Sequence, residues 1–165
     1  MAKTKNGSEA KDANGAAEQA PAGQIRVVGQ FIKDLSFENP MVEKIGKQST
    51  SQPNINLTVN VTSQQRGEEL YESTIECTAH ATDDNGTVFL MEIQYGGLFG
   101  LKNIPNDAIE PLLHVNGASL LFPYLRRLVG DITREGGFPP VLLDPIDFGR
   151  LYLEQKKSRE EEGQA

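Results

Sequence analysis

Hydrophobic positions recur first every second residue and then every third or fourth, so the chain reads as strands followed by helices. Ile55, Leu57, Val59 and Val61 alternate with Asn56, Thr58, Asn60 and Thr62, the mark of a half-buried strand. Before it, Ile25 to Phe37 alternates loosely. Ile25, Val27, Phe31, Leu35 and Phe37 fall on one side, with Arg26, Gln30, Asp34 and Glu38 on the other, until Asn39-Pro40 ends the run. Ser36 to Pro53 is then a long connection, a length usually reserved for function or motion. Tyr71, Ile75, Cys77, Ala79 and Ala81 line the inside of a third strand, with Glu72, Thr74, Glu76, Thr78 and His80 outside. Asp84-Asn85-Gly86 supplies a tight hairpin into a fourth.

The fourth strand, Val88 to Phe99, is apolar where a surface strand should be polar. Phe89, Met91, Ile93 and Tyr95 form an inward stripe, while Val88, Leu90, Glu92 and Gln94 mix apolar and acidic side chains on the other face. Two readings fit: a surface offered to a partner protein, or a central strand covered on both sides. At least the last three strands form an antiparallel meander.

Helical spacing begins after Pro105, where Asn106-Asp107 provides an N-cap. A short helix is expected to Val115, with a break at Asn116-Gly117. A longer one follows to Glu135, closed by Gly136-Gly137. Leu121, Leu125, Leu128 and Ile132 make one stripe; Leu120, Phe122, Tyr124 and Val129 widen it beyond what one sheet needs. A helix apolar on more than one side is sandwiched, so this one is expected to meet its own sheet and another subunit. Pro123 predicts a kink or break. A last helix is expected to start near Asp144-Pro145 and to show Phe148, Leu151 and Tyr152 on one face.

Composition narrows the partners. The 165 residues suit one domain, placed at 24–157 between a disordered tail at 1–23, rich in Ala, Gly, Lys and Asn, and an acidic flexible tail at 158–165. With 23 Asp+Glu against 16 Lys+Arg and a net charge of -7, the chain is a poor match for nucleic-acid phosphates and a better one for a basic protein. The single cysteine excludes an internal disulfide, and no apolar run approaches membrane-spanning length, so a cytoplasmic protein is expected.

Candidate chemistry is thin. His80 and His114 have no Cys, Asp or Glu at metal-ligand spacing, and a structural histidine is the better reading. Cys77, flanked by Ile75 and Ala79, reads as a small buried hydrophobe. Gly96-Gly97-Leu98-Phe99-Gly100 lacks the lysine and hydroxyl of a phosphate loop and suits a bent or bulged strand. No carboxylate pair sits in an identifiable apolar cleft. Surface is what remains: Asp34 with Glu38, and Leu90 with Glu92, on sheet faces.

Five motifs then carry a resemblance. They are Ile32 to Pro40 (IKDLSFENP), Glu92 to Phe99 (EIQYGGLF), Leu121 to Arg127 (LFPYLRR), Gly136 to Pro140 (GGFPP), and Leu143 to Phe148 (LDPIDF) followed by Leu151-Tyr152. In this order they resemble the SecB family of bacterial protein-export chaperones over about Gln24 to Gln155, in forms like those of alphaproteobacterial members. The resemblance implies an α+β subunit: a four-stranded antiparallel sheet with helices packed on one face. It implies a homotetramer, a dimer of dimers whose long helices meet between the sheets, with Leu121, Tyr124, Leu125 and Leu128 as interface positions. The function implied is an ATP-independent holdase that binds unfolded precursor proteins and delivers them to the SecA motor.

Asp34, Glu38, Leu90 and Glu92 match the family's acidic SecA-docking positions, whose partner is a basic, zinc-bearing tail; no cofactor of the chain's own is implied. Phe31, Phe37, Phe89 and Tyr152 match aromatic positions at or near the client groove, for which plain core packing is the competing reading. That groove is framed by the loop after the first strand and the loop carrying Phe138. Two departures stand out. Ser51-Gln52-Pro53 replaces a common Trp-containing loop end, and Asn116-Gly117 a common Cys-Pro pair. Two other readings compete with the export role: a SecB-like chaperone dedicated to one client such as an antitoxin, and an enzyme or small-ligand fold using the groove as a pocket.

Overall fold

The structure is a computed structural model that describes residues 22–40, 42 and 52–163. The expected tail at 1–23 lies almost wholly outside the described residues, as does most of the loop from Pro40 to Pro53. Four long strands, β1 (Gln24–Glu38), β2 (Asn54–Gly67), β3 (Leu70–Asp83) and β4 (Gly86–Lys102), form one antiparallel sheet in the order β1-β4-β3-β2. The meander β2-β3-β4 is joined by tight turns. Glu69 at φ 56° and Gly86 at φ 111° supply the left-handed residues these turns need. β1 then adds to the outside of β4, so β1 and β2 are the two edges.

The helices follow on one face. α1 (Asn106–Leu112) runs through a π-helical turn at Leu113–Gly117 into α2 (Ala118–Glu135). The expected break at Asn116-Gly117 is thus one wide turn that keeps the chain helical, a single-turn π-bulge of the kind often met inside α-helices. Nor does Pro123 interrupt α2. Both Pro123 and Ser119, whose carbonyl loses its partner to the ring, are exposed. Gly137 at φ 88° closes α2, with the amides of Gly136, Gly137 and Phe138 bonded back to Ile132, Arg134 and Thr133. The Thr133 hydroxyl also accepts the Val141 amide at 2.9 Å, pinning the returning segment to α2.

α3 (Phe148–Gly163) begins later than Asp144-Pro145 because Asp147 caps it, its carboxylate accepting the Arg150 amide at 3.0 Å. It also continues through Ser158–Gly163, where a flexible tail was expected.

The core lies between α2 and the strands β3 and β4. Phe89, Met91 and Ile93 of β4, Ile75, Cys77 and Ala79 of β3, and Leu121, Leu125 and Val129 of α2 are all buried. β4 is therefore central, yet only its inner stripe is covered by helices; Glu92 on the other face is exposed. Gly97 sets the closeness of helix and sheet, since a Cβ there would lie 2.7 Å from Leu121 Cδ2 and 3.0 Å from Phe99 Cε2. Gly97→Ala is expected to cost about 1–3 kcal/mol by overpacking, read as a lower urea midpoint at fixed protein concentration. A wild-type midpoint would reject this account of the contact.

Candidate binding surfaces

Sheet register decides which side chains meet. On the face away from the helices, cross-strand rows read Phe31–Gly96–Thr74, then Asp34–Gln94–Glu76, then Ser36–Glu92–Thr78, then Glu38–Leu90–His80. Asp34, Glu38, Leu90 and Glu92, named separately from the sequence, thus fall within three successive rows of one outer face. Asp34, Glu38 and Glu92 are exposed, and Leu90 is half-buried among them. Ion pairs among the described residues lie elsewhere, at Glu69, Glu72, Glu110, Asp131, Glu154 and Glu161. Glu76, which sequence reasoning left among ordinary strand carboxylates, joins the row of Asp34 and takes a 3.0 Å hydrogen bond from Asn60.

Phe31 is a correction. Alternation puts it on one side with Ile25, Val27, Leu35 and Phe37, yet those four lie on the inner face and Phe31 on the outer one, its ring over Gly96. The reason is a pair of bulges in β1. The ladder skips Val28 and again Lys33, so alternation inverts between them: Gln30 turns inward, where it accepts the Tyr95 hydroxyl at 3.2 Å, and Phe31 turns outward.

Of the other aromatic positions, Phe37 and Phe89 come together on the inner face. Their rings stack at 5.6 Å, and both approach Phe138, at 6.3 and 5.0 Å. Phe138 was assigned to the framing loop, and the structure makes it the third ring of the cluster. Phe89 is 1 % exposed and lies inside the protomer's own core; Phe37 is half-buried. Tyr152 is elsewhere, on α3, edge-on to His114 at 5.3 Å.

The positions proposed for a subunit interface also divide. Leu121 and Leu125 have no exposed surface and belong to the protomer's own core, because they sit one turn apart on the side of α2 facing the sheet. The exposed apolar side of α2 is carried by Leu120 and Tyr124, with Leu128 half-buried. Tyr124 stacks on Tyr95 at 6.4 Å. Beside it the inner face of β1 is only partly covered: Ile25, Val27, Ile32 and Leu35 all remain about 40 % exposed or slightly more. Among the described residues, these side chains make a partly exposed apolar margin along β1 and α2.

On the opposite edge a cleft of about 1260 Å³ lies between β2, the π turn and α3. His114, 5 % exposed, is at its floor, with Nε2 3.1 Å from the Ser63 hydroxyl. Burial holds its imidazole below its ordinary value despite the neighbouring Glu110. Gln155 of α3 bonds Asn60, tying the helix to the sheet edge. Among the described residues no cluster of three His, Cys, Asp or Glu side chains is arranged to hold a metal ion. No helix described is long and apolar enough to cross a membrane.

Among the described residues, the protomer thus carries an acidic sheet face on one side and a partly covered apolar margin on the other. Residues 17–159 match the family model described as preprotein translocase subunit SecB. The chain is 42 % identical over 155 residues to the protein-export protein SecB of Roseobacter denitrificans, 92 % of each chain. It is 41 % identical over 145 residues to that of Caulobacter vibrioides, 87 % of this chain and 89 % of the relative. A SecB-like chaperone of Mycobacterium tuberculosis, solved with a peptide from an antitoxin, superposes with a TM-score of 0.61 at 14 % identity over 74 % of this chain and 90 % of that one. The chain belongs to the SecB family.

One buried charge was not legible in the sequence. Glu72, 5 % exposed on the outer face, accepts Lys33 Nζ at 2.9 Å, Arg66 Nε at 2.7 Å and the Thr74 hydroxyl at 3.1 Å. The Arg66 guanidinium, with Lys33 and Thr74 adding to it against the effect of burial, lowers its carboxyl to about 2 from the usual 4.5. A depressed carboxylate contributes stability that is complete above its unfolded value and lost as pH falls towards its folded one. Wild type and Glu72→Gln should therefore differ in stability by a constant amount above about pH 5, and the gap should close between about pH 4.5 and 2. A gap that stays constant down to about pH 2 would exclude this role for the carboxylate.

Proposed function

We propose that this chain is an ATP-independent export chaperone that holds unfolded precursor proteins on its inner apolar margin and presents its outer acidic face to the SecA motor. The observation that carries the reading is the separation of the two surfaces on opposite faces of one sheet. An unfolded client exposes apolar segments and unpaired backbone, and a partly apolar trough beside an edge strand takes up both without reading a fixed sequence. A folded client has buried those segments and is passed over. The acidic face suits a partner of opposite sign: Asp34, Glu38 and Glu92 have no cation of their own among the described residues, and Leu90 between them adds an apolar contact.

The proposed assembly is a homotetramer, with the exposed Leu120 and Tyr124 of α2, rather than Leu121 and Leu125, in contact with another copy. Four protomers would give a long client several weak sites at high local concentration. Phe37 and Phe89, with Phe138, form the end wall of the client trough in this reading, Phe89 as support behind Phe37. Placing the protein in the cytoplasm follows from the same role.

A second reading, a chaperone dedicated to one client, draws on the solved SecB-like relative that carries an antitoxin peptide. A dedicated chaperone has no need of a docking face, and this chain presents all four docking positions together.

The test is Asp34→Lys combined with Glu38→Lys. The variant should keep the tetramer mass by light scattering and keep binding of an unfolded precursor, while SecA binding measured by calorimetry at low salt disappears. Undiminished SecA affinity would reject the docking assignment, and a monomer in solution would reject the assembly.

A further inference from the structure

We infer that Glu72 is a positioning residue for the acidic sheet face: its ion pair with Lys33 fixes the bulge that turns Asp34 and Glu38 outward, and keeps that lysine from pairing with Asp34. The inference rests on the docking role proposed above and assigns a residue outside the four docking positions.

The geometry starts from the ladder. β1 pairs with β4 residue by residue from Gly29↔Leu98 to Ile32↔Tyr95, skips Lys33, and resumes at Asp34↔Gln94. A strand slip of one residue exchanges its two faces. Were the chain to pair straight through, Asp34 would stand opposite Ile93 and Glu38 opposite Phe89, both inner-face partners, and Phe37 would turn outward. The position of this one bulge therefore decides whether the docking carboxylates share a face with Leu90 and Glu92 or are driven towards the core.

A bulge leaves its extra residue unpaired and the ladder locally disrupted, so backbone bonds alone hold that residue less firmly than its neighbours. Here the extra residue is tied down. Lys33 reaches across β4 to Glu72, 2.9 Å away, on the inner strand β3, where the same Glu72 oxygen also takes the hydroxyl of Thr74 from its own strand. The Glu72 side chain is almost fully buried, and a buried carboxylate stripped of one partner is costly, which makes the anchor stiff. The same pair has an electrostatic consequence. Lys33 is the immediate neighbour of Asp34, and a lysine released from Glu72 would neutralise the carboxylate that a basic partner needs.

The experiment compares wild type, Glu72→Gln and Arg66→Met in SecA calorimetry at low salt, with Asp34→Lys plus Glu38→Lys as the control for docking itself. Register is read separately from disulfide formation in an Asp34→Cys, Gln94→Cys pair, which are direct cross-strand partners and lose that pairing as soon as the bulge moves along the strand past Lys33. Glu72→Gln should weaken SecA about three- to tenfold and lower the disulfide yield. Arg66→Met strips the same carboxylate of a partner but leaves the lysine clamp, so it should lower stability yet leave affinity within about twofold and the yield unchanged. Wild-type affinity and yield in Glu72→Gln, or an equal loss of affinity in Arg66→Met, would overturn the inference. If the docking control keeps full affinity, the docking reading fails by itself, and the disulfide yields still decide whether Glu72 holds the bulge.

Discussion

A helix with its side chains is about 10 Å across, and four strands spaced nearly 5 Å apart are considerably wider. α2 covers the centre of this sheet, over β3 and β4, and its geometry leaves the inner side of β1 without a roof. A chain built only to fold would add another helix or turn β1 polar. Instead Ile25, Val27, Ile32 and Leu35 stay apolar along the edge, and Leu120 and Tyr124 extend the same surface onto α2. Contiguous apolar area of this kind is costly in water unless something covers it for part of the time. Clients and sister subunits are the covers proposed here.

Much of this was legible in the sequence because the strands alternate cleanly. The inward stripe Phe89, Met91, Ile93 and Tyr95, the hairpin at Gly86 and the helix stop at Gly136-Gly137 each follow from a local rule that no tertiary contact overrides. The excess apolar width of α2 was legible too, and of the residues that widen its stripe Leu120 and Tyr124 are exposed while Val129 is buried. Leu120 and Tyr124 lie about 100° round the helix from Leu121 and Leu125, and the sheet covers the second pair and leaves the first exposed. The π turn was not legible. Asn116-Gly117 is a fair stop signal, and one wide turn absorbs it when Leu113, Gly117 and Ala118 are buried on both sides of the irregularity.

β1 is where reading from sequence failed most informatively. Alternation counted through Val28 and Lys33 gave Phe31 and Gln30 the wrong faces, while the two bulges cancel so that Leu35 and Phe37 came out right. Nothing near Lys33 in the chain signals the bulge, because its partner Glu72 is 39 residues away on β3. Local pattern reports a strand's average period. It does not report an inserted residue whose reason lies two strands distant.

That inserted residue also explains how one edge strand serves two surfaces. Beyond Lys33, successive side chains of β1 alternate between the faces: Asp34 out, Leu35 in, Ser36 out, Phe37 in, Glu38 out. The acidic face and the apolar trough therefore use interleaved residues of the same five-residue stretch and share none of them. In the proposed role, a partner on the outer face and a client on the inner one therefore touch different side chains of this stretch. Yet the two surfaces are not independent, for a displacement of the β1 backbone moves both sets at once. Within this stretch the backbone is what the two proposed surfaces have in common, since its side chains alternate between the faces.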